Sequence, residues 1–222
     1  MIKQIHLNQC DSTQDILKEQ SSEHSAIEHI LVSCETQQNG RGRGDNIWET
    51  MPGTLCFSLS LTPHPVVSFT ALEISLLVVK FFESKGKKLK LKWPNDIWTE
   101  DQKKCGGILV QGIHQRYLAG VGINLSSNDE RFGGVYEQEF EVDKKLFALE
   151  MAKFILAHRY PDVAGLKQDW LALCGHLNKA VVIHEGSEEI SGIFTGIGEF
   201  GEGLIQVEST MRKVFNGSLR LT

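Results

Sequence analysis

The chain has 222 residues, 41% of them hydrophobic and 23% charged, which excludes a largely disordered polymer and leaves room for one large domain or a domain with a small appendage. Lys+Arg is 23 against Asp+Glu 28, a net charge of −5, which makes a poor candidate for binding nucleic acid over the whole surface, so any polyanion must be met by a local basic pocket. Five scattered cysteines without a C-x-x-C pair argue against a zinc cage or a disulfide framework and for free thiols in a reducing cytoplasm.

The N-terminus lacks a signal-peptide core, and Ile2 to Leu7 alternates as a strand does. Ser12, with Asp15 three residues on, forms a capping-box-like start for a helix running to about Lys18. Ile30 to Cys34 reads as a buried strand. Gln37 to Gly53 carries four glycines and no apolar period, the signature of a long loop. Thr54 to Leu61 alternates cleanly, with Leu55, Phe57, Leu59 and Leu61 on one face. Val66 to Ser84 is apolar nearly all round and ends before Gly86. Glu73 interrupts it, so a buried helix accounts for it better than a membrane span.

Leu89 to Trp93 alternates with lysines and stops at Pro94, and Ile108–Ile113 and Tyr117–Ile123 read as paired strands. Residues 126–134 are loop-like. Leu146 to His158 predicts a helix, and Pro161 opens another that runs to about Leu173. Beyond Gly175, five short strand patterns separated by Gly-rich turns predict a small β-barrel. The domain boundary is expected near Leu173–Leu177, dividing residues 1–175 from 176–222.

Three segments can carry chemistry. In Gly40-Arg41-Gly42-Arg43-Gly44-Asp45, glycines let backbone N–H groups approach a ligand while two guanidiniums neutralise a carboxylate or phosphate, with Trp48 near enough to stack on a heterocycle. A solvated surface loop explains the same residues equally well. The spacing fits neither a dinucleotide fingerprint nor a P-loop. Lys92-Trp93-Pro94-Asn95-Asp96 ends a strand with a carboxylate at its tip, which is either plain turn chemistry or a site for Mg²⁺ or a basic partner.

Lys103-Lys104-Cys105-Gly106-Gly107 sets lysines beside backbone stripped of side chains, either to hold an anion or to guard a strand edge. Cys105 has no histidine nearby in sequence and is expected to pack rather than react. Eight lysines against four acidic residues between Lys80 and Lys104 supply the local basic patch. The eight histidines show no metal-ligand spacing, His24 and His29 being five apart, and no Ser/His/Asp arrangement is present.

Taken together, Asp11-Ser12-Thr13, Gly40-Arg41-Gly42-Arg43, Lys92-Trp93-Pro94-Asn95-Asp96, Lys104-Cys105-Gly106-Gly107-Ile108-Leu109 and Gly120-Val121-Gly122-Ile123-Asn124 resemble the biotin protein ligase family over nearly the whole chain. The resemblance implies an α+β fold: a mixed-sheet catalytic domain with helices packed on the sheet, plus a small C-terminal barrel of the Src-homology-3 type. It implies ATP-dependent activation of biotin as biotinyl-5′-adenylate, then transfer to a lysine of a biotin carboxyl carrier domain, with Mg²⁺ assisting. The first motif begins at residue 11, so the form resembled is a ligase without the N-terminal DNA-binding module, cytoplasmic, and monomeric or homodimeric.

Carried over residue by residue, the family's biotin contacts fall on Ser12, Thr13, Gln14, Gln37, Arg41, Gly42, Arg43, Lys104, Gly106 and Gly107. Its nucleotide contacts fall on Arg43, Trp48, Lys104 and Asn124. The resemblance makes Lys104, Arg41 and Arg43 the catalytic cations, and Asp96 the candidate holder of Mg²⁺ or of the incoming lysine. Family members often continue the glycine–arginine motif with a further basic residue, where this chain has Gly44-Asp45. Two other functions are weighed beside this one: acyl transfer of the lipoate ligase or octanoyltransferase type, and a ligand-sensing module without turnover.

Overall fold

A computed structural model describes residues 1–22, 29–44, 46–113 and 116–222. Its strands and helices, in chain order, are β1 (Ile2–Cys10), α1 (Thr13–Ser22), β2 (His29–Gln37), β3 (Gly40–Arg41), β4 (Ile47–Trp48), β5 (Thr54–Leu61), α2 (Thr70–Glu83), β6 (Lys90–Lys92), β7 (Asp96–Trp98), β8 (Lys104–Ile113), β9 (Arg116–Asn124), α3 (Lys144–Ala157), α4 (Val163–Leu173), β10 (Ala180–Glu185), β11 (Glu188–Ile197), β12 (Gly203–Val207), β13 (Thr210–Val214) and β14 (Ser218–Leu221).

Seven strands make one mixed sheet in the order β1-β2-β5-β9-β8-β7-β6. Only β1 and β2 run parallel, which requires a crossover, and α1 lies within it. The other neighbours are antiparallel. Strand alternation sorts the two faces. Ile30 and Val32 join Leu17 of α1 and Leu118 in a small cluster, while Leu31 belongs to the main core. Leu55, Phe57, Leu59 and Leu61 meet α2 and α3 in that core, and Ser58 and Ser60 occupy the alternate positions of β5. Helix α2 is buried almost all round, as its composition predicts, and Gly86 (φ +75°) follows it in the left-handed conformation. The buried Glu73 carboxylate is held by the Arg159 guanidinium through both oxygens (2.8 and 2.6 Å) and by the backbone N–H of Tyr160.

The C-terminal strands form a five-stranded antiparallel sheet, β13-β12-β11-β10-β14. Its edges β13 and β14 share no ladder among the described residues, so the sheet is there but the predicted closure into a barrel is not shown. The apolar core runs on across the junction: Trp93 packs near Gly203 and donates through Nε1 to Gly201 O (3.0 Å), and Gly175 N–H donates to Leu91 O (2.9 Å). His176 is fully buried there, 4.3 Å from the Phe194 ring and 3.4 Å from Cys174 Sγ.

Four local expectations are corrected. The stretch 37–53 is not loop throughout: β3 and β4 pair as a small hairpin, Gly40 with Trp48 and Arg41 with Ile47, strands too short to leave a periodic pattern. Asp15 does not complete a capping box, because its carboxylate pairs with Arg41 (2.9 Å). Pro161 precedes its helix rather than opening it; Asp162 is the cap and accepts from Gly165 N–H (2.9 Å). Asp96 is not merely a turn tip, since it begins β7 and pairs with Lys92 of β6.

Candidate active site

A cleft of about 920 Å³ opens on the sheet face formed by β5, β9 and β8. Its floor is stripped of side chains. A Cβ at Gly122 would lie 2.4 Å from the Trp48 indole, and one at Gly120 would lie 2.9 Å from Gln14 Oε1. Gly122 is therefore required by close approach of the indole, while a side chain at Gly120 would press only on the free end of Gln14. Gly107 opens between Trp48, Asp96 and Lys104.

The start of α1 makes one wall. The backbone N–H and the hydroxyl of Thr13 both donate to Gln37 Oε1 (2.8 and 2.9 Å), and Thr13 Oγ1 also meets Ser58 Oγ (2.9 Å). Ser12 Oγ accepts from Gln14 N–H (3.3 Å), the expected capping contact. Gln14 Nε2 donates to Leu118 O (3.1 Å), which leaves Gln14 Oε1 buried in the cleft wall without a donor among the described residues. Burial of an acceptor without a donor is costly, so this atom is suited to a ligand N–H.

The β3–β4 hairpin makes the opposite wall and brings in Arg41, Gly42, Arg43 and Trp48. Below it, Asp96 is gripped by two ammoniums, Lys104 (2.7 Å) and Lys92 (3.3 Å), and Lys104 Nζ stands 5.7 Å from the Trp48 ring centre. The cleft thus combines a flat apolar floor, a stacked indole and converging cations, and can hold a planar ring beside an anionic group. Cys105 is buried with its thiol pushed up to about 12, chiefly by burial, and Cys56 likewise to about 11. Neither is a nucleophile, and Cys105 packs as expected.

Ser12, Thr13, Gln14, Gln37, Arg41, Gly42, Arg43, Trp48, Asp96, Lys104 and Gly107 all line this one cleft. Gly106 and Asn124 do not. Gly106 faces the β8–β9 contact, where a Cβ would come within 3.1 Å of Gly122 O. Asn124 accepts from Thr54 Oγ1 (2.9 Å) and donates to Gly133 O (3.5 Å), so its amide secures the loop after β9 instead of facing a ligand.

Asp96 does not provide a metal site by itself, because lysines occupy both its oxygens, and no cluster of three or more His, Cys, Asp or Glu exists among the described residues. His24 and Asp45 lie outside the described residues. Sequence reasoning missed the positions of Lys92, Asn95 and Gln111 in the cleft, together with His184, Asn216 and Gly217 from the C-terminal sheet. Lys92 and Asn95 stand inside a motif already singled out. The C-terminal residues carry no local signal at all.

The chain is similar to known proteins. Residues 7–128 match the biotin/lipoate A/B protein ligase family. The bifunctional ligase/repressor BirA of Escherichia coli is 24% identical over 95% of this chain and 71% of its own. Biotin–protein ligase 2 of Arabidopsis thaliana is 30% identical, over 54% of this chain but only 39% of its own length. The biotin protein ligase of Aquifex aeolicus, solved in complex with biotin and ATP, superposes with a TM-score of 0.80 at 25% identity, over 99% of each chain. With its motif-bearing half matched and its whole fold superposed, the chain belongs to the biotin/lipoate A/B protein ligase family.

Proposed function

We propose that the protein is a biotin protein ligase that activates biotin with ATP and passes it to a lysine of a biotin carboxyl carrier domain. The observation that carries this reading is the convergence of the Arg41/Arg43 hairpin, Lys104 and the Ser12–Gln14 turn on one glycine-floored cleft. It is supported by the Aquifex aeolicus ligase, which has the same fold and was solved with biotin and ATP. The unpartnered Gln14 Oε1 suits a ureido N–H of biotin, and Trp48 suits adenine.

In the first step a biotin carboxylate oxygen attacks the α-phosphorus and pyrophosphate leaves with its bond electrons, giving the mixed anhydride. In the second, a deprotonated lysine amine of the carrier attacks the acyl carbon, AMP departs, and the amide forms. Both steps bring anions together. Lys104, Arg41 and Arg43 therefore act as fixed positive groups, and placing two reactants in register supplies much of the rate. Neither step needs a protein nucleophile. Since Asp96 is paired with lysines, its carboxylate does not fit a resident metal; Mg²⁺ enters with ATP as the substrate complex.

We further read residues 1–175 as the catalytic domain and 176–222 as a small Src-homology-3-like barrel, a reading supported by five short antiparallel strands and the irregularity in β11 between Phe194 and Gly196. The five free thiols suit a reducing cytoplasm, and no described helix is long and apolar enough to cross a membrane.

The test is incubation with biotin, MgATP and a carrier domain. Biotin-dependent pyrophosphate release and one labelled carrier lysine are expected; absence of both overturns the reading. Lipoate in place of biotin is expected to give no turnover, which separates this activity from the related acyl transfer.

A further inference from the structure

The cleft's cations are not equally free to meet an anion. Arg41 is matched by Asp15 at 2.9 Å, and Lys92 and Lys104 share Asp96. Arg43 is different. Its Nη1 donates to Asn95 Oδ1 (3.1 Å) and Gly217 O (3.3 Å), and its Nη2 donates to Asn216 Oδ1. All three acceptors are neutral carbonyl oxygens. No carboxylate of the described residues lies within ion-pair distance of this guanidinium, although Asp96 contributes a weaker field.

Neutral acceptors orient a guanidinium without cancelling its charge, whereas a carboxylate in the same place would form a bidentate pair and cancel it. The fork is also braced by further hydrogen bonds. Asn216 Oδ1 accepts from Gly217 N–H (2.9 Å), and Asn95 Nδ2 donates to Ile108 O (2.6 Å), so each amide has a second partner besides Arg43. Gly217 has φ +141°, and a Cβ there would lie 2.8 Å from His184 O, which pins the turn between β13 and β14 against β10.

We propose that Asn216 is a positioning residue lent by the C-terminal sheet: it aims Arg43 into the cleft with its charge unspent, to receive the polyphosphate of the nucleotide substrate. The inference rests on the ligase reading and assigns the C-terminal sheet a share in nucleotide recognition.

The experiment measures biotin-dependent pyrophosphate release by the full chain, varying ATP at saturating biotin and biotin at saturating ATP. Asn216 is exposed, so its variants are expected to keep the wild-type melting temperature. Asn216→Ala should raise the KM for ATP about tenfold, the loss of one charge-assisted hydrogen bond, with the biotin KM within about twofold. Asn216→Asp should be worse, on the order of a hundredfold, because the new carboxylate ties up the guanidinium. Asn216→Ser, which keeps an acceptor, should fall between wild type and alanine and carries the comparison if the aspartate variant does not fold. An aspartate variant no worse than alanine, a serine variant no better than alanine, or equal losses for ATP and biotin would each overturn the role of Asn216. Wild-type protein without turnover sinks the ligase reading itself; an active wild type with any of those outcomes sinks only this inference.

Discussion

Strand β5 pairs with β9 at eight consecutive positions, from Thr54 with Asn124 to Leu61 with Tyr117, and every residue of β5 is buried. The β3–β4 hairpin, a side wall of the same cleft, has two pairs and leaves Ile47 75% exposed. The floor is held by the core of the protein, and the hairpin wall is held by its own few bonds, by Trp48 on the floor and by what its arginines touch. Long, buried ladders open only with the whole fold, whereas short exposed hairpins open locally. Groups that must not move belong on the first, and groups that must let ligands in and out belong on the second.

The contrast can be broken from either side. Leu59→Ala, in the ladder but outside the cleft, should cost about 2–5 kcal/mol of stability by leaving a core cavity, while the affinity of the remaining folded protein for biotin stays unchanged; urea unfolding and calorimetry check both. Lys104→Ala, at the foot of β8, should slow adenylation on the order of 10² or more with little change in melting temperature, if its charge is felt mainly in the transition state; single-turnover kinetics decide.

Acid should attack the scaffold before the hairpin. His176, buried between the sheets, has its folded pKa held down at about 3 by burial, from an ordinary 6.5. Between those values the unfolded chain binds a proton that the folded chain refuses. This group's effect on stability is therefore nil above pH 6.5 and grows more unfavourable below it, at about 1.4 kcal/mol per pH unit. His176→Gln should flatten that slope in denaturation curves taken from pH 7 to pH 4. The smallest effect belongs to Arg41→Ala. Its pair with Asp15 is solvent-exposed, so stability should shift by less than about 0.5 kcal/mol, while release of the bound adenylate should quicken roughly tenfold, as read by dissociation of labelled ligand.

The same contrast explains what could be read beforehand. Strand β5 was legible because its alternation is a direct image of two unlike faces, and α2 because a helix buried all round has few polar residues to give. The hairpin was not, since Gly40–Arg41 and Ile47–Trp48 are each only two residues long, too short to repeat any pattern. Most of the cleft residues were reached through motifs, whose resemblance to a family stood in for geometry. Asn124 shows the limit of that route: it sits in a matched motif, yet Thr54 and Gly133 occupy its amide. Asn216 shows the opposite limit, for its partner Arg43 lies 173 positions away and no local pattern links them. Gly122 stands inside a matched motif, but only the structure shows that the indole of Trp48 is what forbids a side chain there.

The cleft gathers residues from Ser12 to Leu219. During synthesis the motifs from residue 11 to residue 124 are made before the turn proposed to orient Arg43, which stands just ahead of β14. A chain still growing on the ribosome therefore owns every motif of the site before it owns the site, and full affinity for its nucleotide must wait until β14 has emerged and docked beside β10.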